Sequence, residues 1–386
     1  MAAFAPVMMS SGWSAYWIPR ALHPGAWWLW ALGLTVAASR TTNPLLLGAI
    51  LGVISWTVVA RRSNAPWANA FRLYVIAGIF VVVIRVLFRV VFGGGQPGHV
   101  LVRLPEIGLP DAAAGISLLG DVTAESLLAG LYDGVRLATM LICLGAANAL
   151  ANPRRLLRSM PPALQEVSTA VVVAMSVFPQ LAESFVRVTR AHKLRPARQQ
   201  TRVASLRSIV IPVLEDALDR SLLLAASMDS RGYGRRVSQP RSTALLSAVC
   251  MGGGLAGMAV GAYVLLDGTS PRNLATLILA AGVALALMGI NMSGRGVERT
   301  AYRPDRWRLP ELLTAGSGMA AGVVVSLTSR LDPAELNPSL NPLAWPQVSF
   351  LALAGILLAL LPAAATPAPL NLDATGVNAF GEEMYS

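Results

Sequence analysis

The sequence predicts an all-α membrane protein: a polytopic helical bundle of about eight spans with a helical insert on its cytoplasmic side. Three observations predict it. First, 54% of the 386 residues are hydrophobic and only 13% are charged, whereas soluble domains carry about a quarter charged residues. Second, the apolar residues gather into runs of near membrane-crossing length, at about 25–40, 44–60, 71–92, 124–150, 242–266, 273–292, 311–328 and 346–366. A hydrocarbon core of about 30 Å needs roughly 20 helical residues. Third, the arginines are unevenly placed. They cluster at 61–72, through 154–241 and at 295–308. If eight spans alternate, all three clusters fall on one side, and the positive-inside rule makes that side cytoplasmic. Both termini then lie in the cytoplasm and the lipid bilayer is the chain's main surrounding.

The elements follow in order. Trp13, Tyr16, Trp17, Trp27, Trp28 and Trp30 resemble an interfacial aromatic belt leading into the first span. Asn43-Pro44 separates the first two spans, because proline cannot continue a helix. Residues 1–150 form the N-terminal transmembrane helices and 151–241 a cytoplasmic helical module. Residues 242–292 add two transmembrane helices, and 293–386 a basic loop, two further spans and a tail. Gly253, Gly257 and Gly261 recur every fourth residue, a smooth helix face for close packing.

Several function classes are excluded. The net charge is +11, yet Lys193 is the only lysine, and no glycine loop precedes it. A phosphate-binding loop needs a lysine just after its glycines to neutralise the β- and γ-phosphates, so the chain carries no nucleotide-hydrolysing motif. The basic charge reads as positive-inside asymmetry and not as a nucleic-acid surface. Cys143 and Cys250 sit in apolar runs and read as buried thiols. Three scattered histidines offer no metal-ligand spacing and no G-x-S-x-G occurs, so no metal, cofactor or catalytic residue is expected.

The insert opens at Asn152-Pro153, an N-cap and first helical residue. The short helix that follows, with Leu156, Leu157 and Met160 on one face and arginines on the other, suits the membrane surface. One long arm follows from about 163 to 195. Leu181, Phe185 and Val188 form an apolar stripe, Glu183 and Arg187 an i,i+4 pair, and the end is Leu194-Arg195-Pro196. A second arm spans about 201–231. Leu206, Val210, Val213, Ala217, Leu224 and Met228 keep helical spacing, Asp216 and Arg220 form an i,i+4 pair, and Ser230-Arg231-Gly232 ends it. Two readings of Arg195 and Arg231 stay open. A cation in a last turn complements the helix dipole before a proline or glycine stop. An arginine at a rigid tip also presents five donors to a docking partner.

At these residues the chain resembles the transmembrane T component (EcfT, CbiQ-like) of energy-coupling factor ABC transporters. In that family two coupling helices each end in an Ala-Arg-Gly-like motif. Ser230-Arg231-Gly232 is similar to the second motif, with Ser230 for alanine; Leu194-Arg195-Pro196 keeps only the arginine of the first. Leu22-His23-Pro24, Thr41-Thr42-Asn43-Pro44 and Asn152-Pro153 with Pro161-Pro162 also look like the family. The resemblance covers roughly 22–292 and leaves the last two spans without a role. It implies that two ABC-type ATPases receive the helix tips. Their motion would pass to a substrate-binding S membrane subunit that imports a vitamin or metal-ion micronutrient. A free-standing permease or scaffold is the alternative, with a membrane-embedded enzyme behind it.

Charges within the spans form a second candidate. Arg85 and Arg89 stand one turn apart near the outer end of the third span, and Asp133 and Arg136 in the outer half of the fourth. A charge in lipid needs a partner, which predicts an Arg85–Asp133 ion pair. The competing reading has Arg85 and Arg89 snorkelling to the interface.

Overall fold

The structure is a computed structural model that describes residues 19–63, 69–92, 98–105, 107–108, 117–193, 202–233, 240–268, 270–294 and 305–369. The helices are α1 (Pro24–Ser39), α2 (Pro44–Arg61), α3 (Ala70–Val91), α4 (Ala124–Leu150), α5 (Pro153–Arg158), α6 (Gln165–Lys193), α7 (Arg202–Ser230), α8 (Arg241–Asp267), α9 (Arg272–Ser293), α10 (Leu309–Leu331), α11 (Pro333–Leu336), α12 (Phe350–Leu358) and α13 (Leu361–Ala365). Between α3 and α4 lie two small antiparallel strand pairs, β1 (Val100–Arg103) with β4 (Asp121–Thr123) and β2 (Ile107–Gly108) with β3 (Ser117–Leu118). They lie within what the sequence suggests is an external loop.

Among the described residues seven helices are long and apolar enough to cross a membrane: α2, α3, α4, α6, α8, α9 and α10. The chain is thus a polytopic helical membrane protein. Two of the eight apolar runs form shorter pieces. Helix α1 has 16 residues, and the last run is broken into α12 and α13. Conversely, α6 meets the length and hydropathy for crossing although the sequence places it in the insert. Its apolar character comes from the half before Pro179; Glu183, Arg187 and Arg190 mark the other half.

The chain divides into two compact units, residues 1–156 with 305–386, and residues 157–304. In the first, α1, α2, α4, α10 and α12 enclose a core that includes Trp30, Leu34, Ile50, Ile54, Cys143, Val325 and Ile356. Trp27 and Trp30 do not belong to an interfacial belt. They are 4% and 0% exposed and pack edge to face, with ring centroids 6.0 Å apart. The break after α12 explains how an indole can be so buried. Ala363 N–H turns back to the Leu360 carbonyl, and the Ala359 carbonyl accepts Trp30 Nε1 at 3.0 Å. A buried indole N–H finds its acceptor in a helix interruption.

Helices α1 and α10 meet backbone to backbone. A Cβ on Gly33 would stand 2.1 Å from the Gly318 carbonyl oxygen, and one on Gly318 2.4 Å from Trp30 Cα. Gly322, four residues on, faces Gly33 in the same way, so small residues at i and i+4 open the seam. Helix α3 packs on α4 through Gly130, Gly134 and Gly145; Gly78 is its one buried residue, and the rest are half-buried or exposed.

The connection between α1 and α2 is fixed by the C-terminal segment. Thr41 Oγ1 donates to the Leu336 carbonyl at 2.6 Å, and Asn43 Nδ2 to the carbonyls of Glu335 and Gln347 at 3.0 and 2.6 Å. Asn43 Oδ1 meanwhile caps α2 by accepting from Leu45 N–H. Both side chains are fully buried. At the other end of α2, Arg61 donates to the carbonyls of Pro362, Ala363 and Pro367. Glu311 is also fully buried. Its carboxylate caps the start of α10 by accepting from Arg308 N–H and pairs with Arg20 at 3.0 Å.

In the second unit α8 and α9 form a close hairpin. Gly254, Gly257 and Gly261 face the backbone of Ala286, Gly282 and Leu279, while Gly253 touches only the Leu285 side chain. The smooth face that the sequence places on Gly253, Gly257 and Gly261 is therefore turned by one residue at its first position. Cys143 and Cys250 are both buried free thiols.

Candidate partner-docking helices

The candidate site is built from α6 and α7. Both carry an internal proline, Pro179 and Pro212. They join through a polar cluster centred on Asp216. Its carboxylate accepts from Ser184 Oγ at 2.6 Å, from Arg187 Nη2 at 3.1 Å and from Arg220 Nε at 3.1 Å. Arg220 reaches on to Gln180 Oε1 at 3.3 Å. The Asp216–Arg220 i,i+4 pair expected from the sequence is present. Arg187, which the sequence pairs with Glu183, spends its donors on Asp216 instead, because the neighbouring helix offers a carboxylate already held by a hydroxyl.

The Ser184 hydroxyl and the Arg220 and Arg187 guanidiniums hold the Asp216 carboxyl below its ordinary value of 3.8. The sign follows from linkage. A depressed carboxylate pKa stabilises the folded form above the ordinary value, and that contribution is lost as pH falls through the folded pKa. The α6–α7 pairing is therefore expected to loosen only in acid below the ordinary carboxylate range, and Asp216→Asn to loosen it at neutral pH. Hydrogen exchange of the amides at 180–188 and 212–222 measures both effects. Unchanged protection in Asp216→Asn would show that apolar contacts alone hold the pair.

Helix α7 has a second apolar face. Ile211, Leu214, Leu218 and Leu222 are 41%, 55%, 62% and 68% exposed. Their spacing of three, four and four residues puts them on one side. Asp216, Ala217, Arg220 and Leu224 occupy the other side, towards α6. The sequence pattern drew attention only to the second series. The exposed one was equally periodic, but two apolar stripes on opposite faces cancel any net asymmetry.

The end of α7 is built by the chain itself. Tyr233 N–H bonds back to the Met228 carbonyl at 3.0 Å and Gly232 N–H to the Asp229 carbonyl at 2.9 Å. Gly232 has φ +75°. This is a Schellman stop, with a left-handed glycine at C′ closing two of the helix's free carbonyls. Arg231 is the residue just before it, exposed and carried at the very end of a 29-residue helix. Ser230 Oγ bonds within the helix to the Ser227 carbonyl at 2.9 Å. Leu194, Arg195 and Pro196 lie outside the described residues.

The intramembrane charges are arranged differently from the sequence expectation. Asp133 stands 3.9 Å from Arg89 Nη2, not beside Arg85. The reason is the α3–α4 seam. Gly130 lets the Arg89 stem lie against α4, while the Arg85 Cβ lies over Gly134, and Asp133 sits on the Arg89 side of that contact. The pair is one-third exposed on each side. Among the described residues no group of histidine, cysteine or acidic side chains is arranged to hold a metal ion.

Fold and helices together define a class: a multi-pass helical membrane protein with a pair of long antiparallel helices, one of them arginine-tipped. Residues 17–241 match the family model described as CbiQ, cobalt transport protein. That is more than half of the chain, and the chain belongs to this family of membrane transport components. Comparison with curated proteins finds no match. The matched stretch ends at Arg241, so α8–α13 lie beyond it.

Proposed function

We propose that the chain is the transmembrane coupling subunit of an energy-coupling-type ABC importer. The observation that carries this reading is the end of α7: an exposed arginine set on a glycine-stopped tip, on a helix whose outer face is an exposed apolar stripe. In this reading Arg231 enters a groove of one ATPase and the end of α6, with Arg195, serves a second. Long helices are stiff, so a displacement at a tip is carried along the axis. The stripe Ile211–Leu214–Leu218–Leu222 then receives the S membrane subunit, which holds the micronutrient. Burying the surface these four side chains still expose, a little over two full side chains' worth, yields about 3–7 kcal/mol gross. Association and ordering cost about 4–15 kcal/mol. The stripe alone thus supports a reversible contact and leaves the ATPases to bias it.

Affinity purification of the tagged chain from its native membranes tests the reading. Recovery of two ABC-type ATPases together with a small membrane protein is expected; a chain recovered without ATPases would count against it. Leu214→Glu with Leu218→Glu is expected to lose the small membrane protein while keeping the ATPases, since the charges lie on the stripe and not at the tip. Loss of all partners at once would argue that the stripe does not act separately.

A further inference from the structure

The C-terminal segment has no place in the matched family region, yet it meets the coupling module's point of attachment. The chain leaves the first unit after Leu156 and returns to it at Asp305. The side chains flanking these two points, Arg155 and Asp305, form an ion pair of 2.5 Å between residues 150 positions apart. Arg155 also donates to the carbonyls of Ala21 and Leu22 at 3.1 and 3.3 Å. These are the last residues before His23, which caps α1 by accepting from Gly25 N–H. Asn152 in turn caps the helix that bears Arg155, accepting from Arg154 N–H at 3.0 Å. On the Asp305 side, the Trp307 ring lies 5.2 Å from the His23 ring, and Arg308 begins the capping box of α10 with Glu311. One guanidinium therefore touches the exit from the unit, the return into it and the approach to α1.

We infer that the Arg155–Asp305 pair is a clasp that makes the two chain crossings a single mechanical anchor. Displacement of residues 157–304 would then reach the starts of α1 and α10 together. The direction of that displacement rests on the proposed function; the clasp itself does not. An ion pair 29% and 37% exposed contributes little to stability. Its use is geometric. The first crossing lies within α5, between Leu156 and Leu157, and Asp305 opens the approach to α10 at the second; without the pair these two segments could shift independently. Joining them removes that independence, and arginine suits the task because its planar fork serves a carboxylate and two carbonyls at once. The charged residues next to the pair along the chain are Arg154 and Arg158 on its own helix and Arg306 and Arg308 beside Asp305.

Hydrogen exchange of the full chain in lipid nanodiscs tests the clasp without any partner. Arg155→Ala is expected to raise exchange several-fold both at 153–158 and at 305–312, and Asp305→Ala to do the same. The exchanged pair Arg155→Asp with Asp305→Arg is expected to restore protection at 305–312. It should leave 19–24 unprotected, since an aspartate cannot donate to the Ala21 and Leu22 carbonyls. If Arg155→Ala leaves 305–312 unchanged, the clasp is overturned. In the complex purified from membranes, either single variant is expected to retain its ATPases but lose uptake per ATP hydrolysed several-fold, with recovery in the exchanged pair. Full uptake in both singles would also overturn it. A wild-type chain without ATPases would defeat the functional reading and leave the exchange result standing.

Discussion

Gly33→Ala is expected to destabilise the packing of α1 against α10 strongly. The added methyl would stand 2.1 Å from the Gly318 carbonyl oxygen and 2.3 Å from its carbon, both backbone atoms of the facing helix. A flexible side chain could rotate away, but two helix backbones can only separate. Overpacking costs typically 1–3 kcal/mol, and here the cost falls at about the upper figure, because the separation also withdraws Trp30 from its neighbours. Gly318→Ala, with its methyl 2.4 Å from Trp30 Cα and O, is expected to behave alike. Gly316 provides the control on the same helix, since nothing lies within 4 Å of a Cβ there. Gly316→Ala is expected to be neutral, or stabilising by up to about 1 kcal/mol through helix propensity. Thermal unfolding of the purified chain in detergent separates the three. Equal stability of Gly33→Ala and Gly316→Ala would mean that α1 and α10 do not approach so closely.

The second large effect is expected at Arg231. On the proposed function, Arg231→Glu replaces a donor fork by a carboxylate at the point of docking. Truncating one partner of a buried, hydrogen-bonded charge pair costs about 2–5 kcal/mol, or upwards of about 30-fold in affinity. ATPase recovery is expected to fall at least that far while membrane insertion persists. Arg231→Lys keeps the charge but not the fork and is expected to be intermediate. Gly232→Ala tests the platform and not the arginine. Holding an L-residue near φ +75° costs about 1–2 kcal/mol, so the stop is expected to rearrange and re-aim an unchanged Arg231. If Gly232→Ala weakens ATPase binding as Arg231→Lys does, the tip's geometry matters as well as its charge. Full ATPase recovery with Arg231→Glu would falsify the docking role.

How much of this was legible depends on whether the cause was local. The stop at Gly232, the break at Asn43-Pro44 and the cap at Asn152 could be read from the chain because each depends on residues a few positions away. The Asp216–Arg220 pair was legible for the same reason, being one turn apart. What depended on the neighbouring element was not. Arg187 chose Asp216 over Glu183, and Asp133 lies beside Arg89 and not Arg85. Trp27 and Trp30 read as interfacial from the sequence because tryptophans near a span usually are; their burial follows from α10 and the broken last run, some 290–330 residues distant. Gly318 and Gly322 repeat at i and i+4 within α10, a spacing that is local, but Gly33 has no glycine four residues away in α1, so only the pairing of the two helices shows what that spacing packs against.

The pinning of the α1–α2 connection by residues 335–347 bears on how the chain is made. The Thr41 hydroxyl and Asn43 amide are buried against carbonyls about 290–305 residues later. At about 5–20 residues per second of translation, the first hairpin waits roughly 15–60 s for them. Through that interval its fully buried polar groups must be hydrated or held by the insertion machinery. Ribosome-nascent chains halted before residue 335 should therefore carry an unfinished first hairpin, although every residue of α1 and α2 has already entered the membrane.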